Sequence, residues 1–259
     1  MTLTWMTTAS LLLSDGDTVV AFDPFLPTAK RESDKEQERL QSYRDAAAVF
    51  VTHGHFDHIL SLPSIYADRA VPVYATKTPC QTLKDAGYPP ECLRVISSGD
   101  TQSIGRFTIT AYQSRHCRFD LPLIVKTVFS RRFFSALPQA AALQNLRHRY
   151  PENGETLFYE VQNGDKRVQI MGSMNLSSDI SYPTKADCLV LPLQGRSDQD
   201  NYALQFVDRL QPKRILIDHH DDSFPPLSDN VDTSGFIRNV THRFSVPCEE
   251  LQYGQVMEL

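Results

Sequence analysis

Three histidines and one aspartate stand together directly after a short apolar run. His53, His55, Asp57 and His58 occur in the segment Thr-His-Gly-His-Phe-Asp-His, which follows the apolar residues 47–51. Neutral imidazole nitrogen and anionic carboxylate oxygen are both good ligands for borderline divalent metals, Zn²⁺ first, with Fe²⁺ and Mn²⁺ also suited. Three of the chain's eight histidines fall in this one segment. The sequence therefore predicts a metal site here.

The spacing of these residues suggests room for two metal positions. His53 and His55 are two residues apart, so they can converge on one ion while the chain is still extended. Asp57 and His58 follow in a turn and can face a second position.

The remaining candidate ligands come later in the chain. His116 follows a predicted strand at 107–112, and His219 ends the apolar run at 214–217. His220 is adjacent to His219, so either could be the last ligand. We prefer His219, and the histidine that is not a ligand could contact substrate or an outer group.

The segment 53–58 resembles the His-x-His-x-Asp-His signature of the metallo-β-lactamase superfamily, and the resemblance extends over nearly the whole chain. It implies an α/β fold, the four-layer αβ/βα metallo-β-lactamase sandwich. It also implies that Asp23, in Ala-Phe-Asp-Pro-Phe, supports the site from behind the ligands. Two metal positions are implied, with the ligands His53, His55 and His116 in one and Asp57, His58 and His219 in the other.

The resemblance further implies a mechanism in which a metal-bound hydroxide is the nucleophile and Asp57 is the catalytic residue that orients it or accepts its proton. The sequence departs from the superfamily pattern at one point. Where a metal-bridging aspartate is expected, the chain reads Gly-Ser-Met-Asn, with Ser173 at the expected position. A neutral serine bridges two cations poorly, so one or two metals remain open. Asp179, Asp221 and Asp222 could compensate, but solvated turn positions suit them better.

Composition limits the functions available to the chain. With 259 residues and 41% hydrophobic content, a single domain over 1–259 is expected. The net charge of −5 disfavours nucleic acid as a partner. No Gly-x-Ser-x-Gly elbow, signal peptide or membrane-spanning segment is recognised. Five widely spaced cysteines suit small buried hydrophobes in a reducing cytoplasm.

One basic segment stands out in this acidic chain. Residues 115–149 hold seven Lys or Arg and a single acid, Asp120. We interpret residues 117–155 as a basic and apolar insertion that could line the mouth of the site and favour a small, anionic, partly apolar substrate. A packed strand and helix with solvated arginines explains the same pattern equally well.

Alternating and apolar runs predict the remaining elements. Strands are expected at 10–13, 18–22, 47–51, 71–74, 93–96, 107–112, 156–161, 167–171, 188–191 and 214–217. Helices are expected at 78–86, 138–149 and 200–210, with an exposed helix or loop at 30–44.

The expected function is hydrolysis of an ester, lactone or phosphodiester with one or two zinc ions. The segment 219–226 most resembles the ascorbate-phosphate-lactonase-like branch of the superfamily. Two alternatives remain: an iron-containing redox protein, and a metal-binding member of the same fold with impaired catalysis, the latter suggested by Ser173. A homo-oligomer is possible.

Overall fold

The computed structural model describes residues 1–26, 33–128, 144–222 and 230–259. Two seven-stranded mixed sheets form its centre. Residues 27–32, 129–143 and 223–229 lie outside the described part of the chain. They include parts of four predicted features: the helix or loop at 30–44, the insertion at 117–155, the helix at 138–149 and the segment 219–226.

The first sheet combines strands from the N-terminal half with the last strand of the chain, in the order β14-β1-β2-β3-β4-β5-β6. Its strands are β1 (Thr2–Thr7), β2 (Ser10–Ser14), β3 (Val19–Phe22), β4 (Ala48–Phe50), β5 (Val73–Ala75), β6 (Leu93–Val95) and β14 (Val256–Glu258). Strands β3 to β6 run parallel to one another, so their carboxyl ends meet at one edge.

The second sheet has the order β13-β12-β11-β10-β9-β8-β7. Its strands are β7 (Thr101–Ile104), β8 (Phe107–Gln113), β9 (Leu157–Asn163), β10 (Lys166–Met171), β11 (Cys188–Pro192), β12 (Ile215–Asp218) and β13 (Cys248–Glu250). The turn Asn163-Gly164-Asp165 joins β9 to β10 as an antiparallel hairpin, as the sequence predicted.

Helices cover the outer face of each sheet. On the first sheet lie α1 (Ser33–Arg44), α2 (Phe56–Ile59), α3 (Leu62–Ile65) and α4 (Lys77–Asp85). On the second lie α7 (Gln199–Tyr202), α8 (Leu204–Leu210) and α9 (Ser234–Phe244). Between them in sequence come α5 (Leu121–Val128) and the helical residues 144–149, which we call α6.

The apolar side chains divide into three buried clusters that correspond to these layers. Side chains from the inner faces of both sheets, among them Phe50 and Tyr159, form the central cluster. The other two clusters lie between each sheet and its helices. Period-two alternation directs neighbouring strand residues to opposite faces, and both faces are covered here. The arrangement is helix, sheet, sheet, helix, which confirms the predicted four-layer sandwich.

Most predicted elements occur within two residues of their expected ends. Two differ in kind. Residues 200–210 form two short helices, because the chain turns at Ala203. The apolar segment that begins at Leu121 is helical, whereas a strand was considered. The elements that were not predicted are β1, β7, β13, β14, α2, α3 and α9.

Candidate metal centre

The segment 53–58 leaves the first sheet at the carboxyl end of β4 and turns into the short helix α2. His53 lies in the extended part, and Asp57 and His58 lie on the helix. Gly54 between them approaches another part of the chain closely: a Cβ atom there would lie 2.4 Å from the backbone oxygen of Pro151. Only glycine allows this approach, which fixes the path of the two histidines that flank it.

His116 and His219 reach the same place from the second sheet. His116 follows β8, and its Nδ1 lies 2.7 Å from the carbonyl oxygen of Cys117. Because a carbonyl oxygen can only accept, Nδ1 carries the proton and Nε2 is left for a ligand. His219 follows β12 with a φ of +53°, which is rare for a residue with a side chain, and its N–H donates to the carbonyl of Thr8.

The six predicted ligand residues lie in two adjoining groups. In each group the potential ligand atoms are all within 4.8 Å of one another. The first group is His53, His55 and His116, and the second is Asp57, His58 and His219. The rings of His53 and His58, one from each group, have centroids 3.8 Å apart, so the two groups are in direct contact. The two groups have the members that the superfamily resemblance implies, and the role of these residues as ligands remains a prediction.

Asp23 lies behind the second group, fully buried at the end of β3. Its Oδ2 accepts a hydrogen bond from the Thr52 hydroxyl at 2.6 Å and lies 2.8 Å from His58 Nδ1. Its Oδ1 accepts the N–H of Thr52 at 2.8 Å. This carboxylate therefore holds the His58 ring so that Nε2 faces the site, an arrangement common behind metal-binding histidines. Thr52, which shares these contacts, was not singled out from the sequence.

The two groups differ in their protonation. Burial, and then the neighbouring histidines, lowers the pKa of His53 well below its ordinary value and that of His55 to about 3. Burial likewise lowers the pKa of His116. These three rings are neutral at pH 7, as a metal ligand must be.

In the second group, attraction between charges outweighs burial. Burial alone would raise the pKa of Asp57, but His58 and the hydrogen bond to His219 hold it below its ordinary value. Burial opposes protonation of the histidines, yet Asp23 and Asp57 raise the pKa of His58, and Asp57 raises that of His219 to about 9. A pKa of about 9 makes the His219 ring positively charged at pH 7.

His220, the competitor for the last ligand position, belongs to neither group. Its Nε2 lies 3.0 Å from Glu250 Oε1, and its ring stacks on Trp5 at 4.7 Å between centroids. The preference for His219 therefore agrees with the geometry, and His220 contacts an outer carboxylate.

Two further acids near the site, Asp221 and Asp179, have polar partners. Asp221 accepts hydrogen bonds from the hydroxyl of Thr7 and the backbone N–H of Thr8, and Asp179 lies 3.6 Å from Arg115. Ser173, at the expected aspartate position, accepts the N–H of Cys117 at 2.9 Å and so joins two loops of the site.

Sequence reasoning missed Asp218, the residue before His219. It is fully buried at the end of β12, and burial raises its pKa to about 8. An aspartate that ends the apolar run Ile-Leu-Ile was the available signal.

A basic and aromatic surface adjoins the first group. The pKa of His55 is lowered first by burial and, to a smaller extent, by the positive charge of Arg147. The Arg147 guanidinium also lies 5.8 Å from the centre of the Phe119 ring, and the side chains of Phe119 and Leu121 are 47% and 76% exposed. Arg147 thus brings positive charge near His55 and lies beside an exposed aromatic ring.

Comparison with known proteins agrees with this site. Residues 18–220 match the profile of the Beta-lactamase superfamily domain. The chain belongs to the metallo-β-lactamase superfamily. A relative from Chloroflexus aurantiacus, named UPF0173 metal-dependent hydrolase, is 25% identical over 182 residues, which are 70% of this chain and 67% of the relative. Metal-dependent hydrolysis is the activity in its name.

Solved structures share the fold at low identity. Igni18, a metallo hydrolase from Ignicoccus hospitalis, has a TM-score of 0.68 and 16% identity, and the match covers 100% of this chain and 98% of that one. CmlA from Streptomyces venezuelae, a diiron beta-hydroxylase, has a TM-score of 0.62 and 13% identity, with 100% and 54% covered. The superfamily prediction is confirmed, while the ascorbate-phosphate-lactonase-like branch remains a prediction.

No helix in the described ranges is long and apolar enough to cross a membrane. All five cysteines lie in those ranges and are free thiols.

Proposed function

We propose that the protein is a metal-dependent hydrolase, with zinc as its metal, that acts on an ester, lactone or phosphodiester. One observation carries the proposal: two adjoining groups of three ligand atoms, each within 4.8 Å, are built from five histidines and one aspartate. A nitrogen-rich set of this kind suits Zn²⁺ better than Mg²⁺ or Ca²⁺. The Nδ1 atom of His219 is buried without a hydrogen-bond partner among the described residues, which supports a bound group at this site.

A divalent metal held by these residues would make its bound water acidic enough to ionise near neutral pH and would polarise the bond to be cleaved. The chain's own residues then have distinct tasks. His53, His55 and His116 offer neutral nitrogen atoms. Asp57 stays ionised and accepts or orients the proton of the attacking water. Asp23 keeps the His58 ring turned toward the site.

We propose a small anionic substrate with an apolar part. Arg147 brings positive charge to the border of the first group, and the exposed Phe119 and Leu121 offer an apolar surface. Arginine suits phosphate and carboxylate groups because its planar guanidinium donates two parallel hydrogen bonds. Free thiols at all five cysteines support a cytoplasmic location. We also propose that residues 1–259 form a single domain with an insertion at 117–155.

The test is zinc, iron and manganese quantification on the purified protein, followed by a screen with generic phosphodiester, ester and lactone substrates. We expect stoichiometric zinc and hydrolysis of at least one class. Asp57→Ala and His55→Ala should abolish hydrolysis while the circular dichroism spectrum stays native. His220→Ala is the matched control, because this ring lies outside both groups. Full activity in Asp57→Ala would refute the site.

Iron-dependent redox chemistry is the second candidate, because the diiron hydroxylase CmlA shares the fold. It would give stoichiometric iron and a visible absorption band. That result would replace the zinc hydrolase.

A further inference from the structure

Asp218 ends β12 on the face that points between the two sheets. In this strand Ile215 and Ile217 contribute to the outer cluster, whereas Leu216 belongs to the central cluster. Alternation therefore places Asp218 on the same face as Leu216, at the floor of the site and one residue before His219. Its side chain is fully buried.

The Asp218 carboxyl group has no hydrogen-bond partner for either oxygen among the described residues. Asp23, which is also fully buried, receives three contacts, from the Thr52 N–H, the Thr52 hydroxyl and His58. A buried carboxylate without partners is costly, and natural proteins keep one only where something compensates. A cation bound beside this carboxyl group would compensate it.

The surroundings of Asp218 point to the second group. The charged side chains that act on it most are His219, Asp23 and His58. Two of these, His58 and His219, are candidate ligands of the second position, and none comes from the first group. Two divalent cations bring four positive charges, while the six candidate ligands include one carboxylate, Asp57.

We propose that Asp218 balances the charge of a cation held by Asp57, His58 and His219, and so replaces the carboxylate that is absent at Ser173. This inference rests on the proposed metal-dependent function and deepens it. It explains how a neutral serine at the bridging position is compatible with two metals. The negative charge comes from the floor of the site, where it strengthens cation binding without occupying the space of the substrate.

Asp218→Asn tests the proposal because it removes the charge and keeps the shape. The metal-free protein is titrated with zinc against a chromophoric chelator. The native protein should bind two ions. In the variant, affinity at the weaker site should fall about 10- to 100-fold, while the stronger site is unchanged. Glu250→Gln is the matched control: it removes a negative charge at the neighbouring strand β13 and should leave both affinities unchanged.

A purely structural role is separated by two further measurements. Adding Ser173→Asp to Asp218→Asn should restore the second affinity, because a carboxylate returns to the site. The metal-free Asp218→Asn protein should melt no lower than the metal-free native protein, since it no longer buries an unpartnered acid. If Asp218→Asn does not fold, Asp218→Leu is measured in its place, with the same expectations.

Retention of two tight zinc ions by Asp218→Asn overturns the inference and leaves the hydrolase proposal standing. Saturation of the native protein with one zinc ion also overturns the inference and leaves the hydrolase proposal standing. Failure of the native protein to bind any metal overturns the proposed function itself.

Discussion

Adjacent histidines at the end of β12 have opposite surroundings. His219 turns back toward Asp57, with 3.3 Å between His219 Nε2 and Asp57 Oδ2. His220 lies between Trp5 and Glu250. The positive φ at His219 produces this divergence, because it reverses the chain between the two side chains. Strain of this kind is costly and is usually kept where function requires it.

The pair gives a matched test of ligand identity. We expect His219→Ala to lower the zinc content by one ion per chain and to reduce hydrolysis at least about 100-fold. His220→Ala should keep the native zinc content and lose stability only, because it removes an aromatic stack and one contact with the Glu250 carboxylate. Zinc is measured by atomic emission on dialysed protein. The reverse pattern would assign the ligand to His220.

Ser173→Asp in the otherwise native chain is the second residue-scale prediction. Because Asp218 already supplies the negative charge, we expect the affinity for the second zinc ion to change by less than about 3-fold. A zinc titration measures it. A large gain in metal content and activity would show instead that the native site is impaired. The protein would then be a metal-binding member of the fold with impaired catalysis.

The sequence predicted these residues unequally. Ligand identities were accessible because the spacing of His53, His55, Asp57 and His58 is itself a chemical pattern. The role of Asp218 was not accessible. Alternation predicts which face of the strand a side chain occupies, but it does not predict whether the carboxyl oxygens have hydrogen-bond partners. The choice between His219 and His220 was open for a related reason: nothing in the residue types announces a left-handed turn at a histidine.

At the scale of elements, candidate ligands follow the carboxyl ends of strands in both sheets. β4 leads to His53, β8 to His116 and β12 to His219. Short strands bounded by turn residues made these elements predictable. Helix α9 was missed, since its only fully buried apolar positions are Phe236 and Val240, and this is too weak a stripe to stand out.

Helix α4 begins with an interaction that local sequence could not reveal. Its N-cap, Thr76, makes no side-chain cap, and Glu155, far along the chain, accepts the N–H and the hydroxyl of Thr78 at 2.8 and 2.7 Å. The carboxylate thereby meets the positive end of the helix. Burial alone would raise the pKa of Glu155, but the two bonds from Thr78 lower it.

Glu155→Gln should therefore lower the free energy of unfolding by about 1 kcal/mol at pH 7. A depressed carboxyl pKa stabilises the fold above the unfolded value of 4.5. That contribution is lost as the pH falls below 4.5 and through the lower pKa that Glu155 has in the folded protein. The difference between native and variant in urea unfolding should shrink below pH 4.5. A difference that stays constant with pH would contradict the role of the charge.

At the scale of the whole molecule, the candidate metal centre joins the two sheets. Each group of three takes two members from the first-sheet segment 53–58 and one from the second sheet, His116 or His219. The central apolar cluster holds the sheets together below the site. The layered arrangement was predictable from alternating strands and the superfamily resemblance. The pairing of β1 with β14 was not, since these strands lie at opposite ends of the sequence and no local pattern joins them.

Because the candidate ligands come from both sheets, metal removal should lower the stability of the entire fold. At a free zinc concentration 100 times the dissociation constant, binding adds about 2.7 kcal/mol. For a chain of this length that corresponds to a rise in Tm of about 5–10 °C. Tm is measured by scanning calorimetry on zinc-loaded and chelator-treated protein. The double variant His55→Ala and His219→Ala, with one ligand removed from each group, should melt at the same temperature with and without zinc. An equal zinc response in native and double variant would place the bound metal outside this centre.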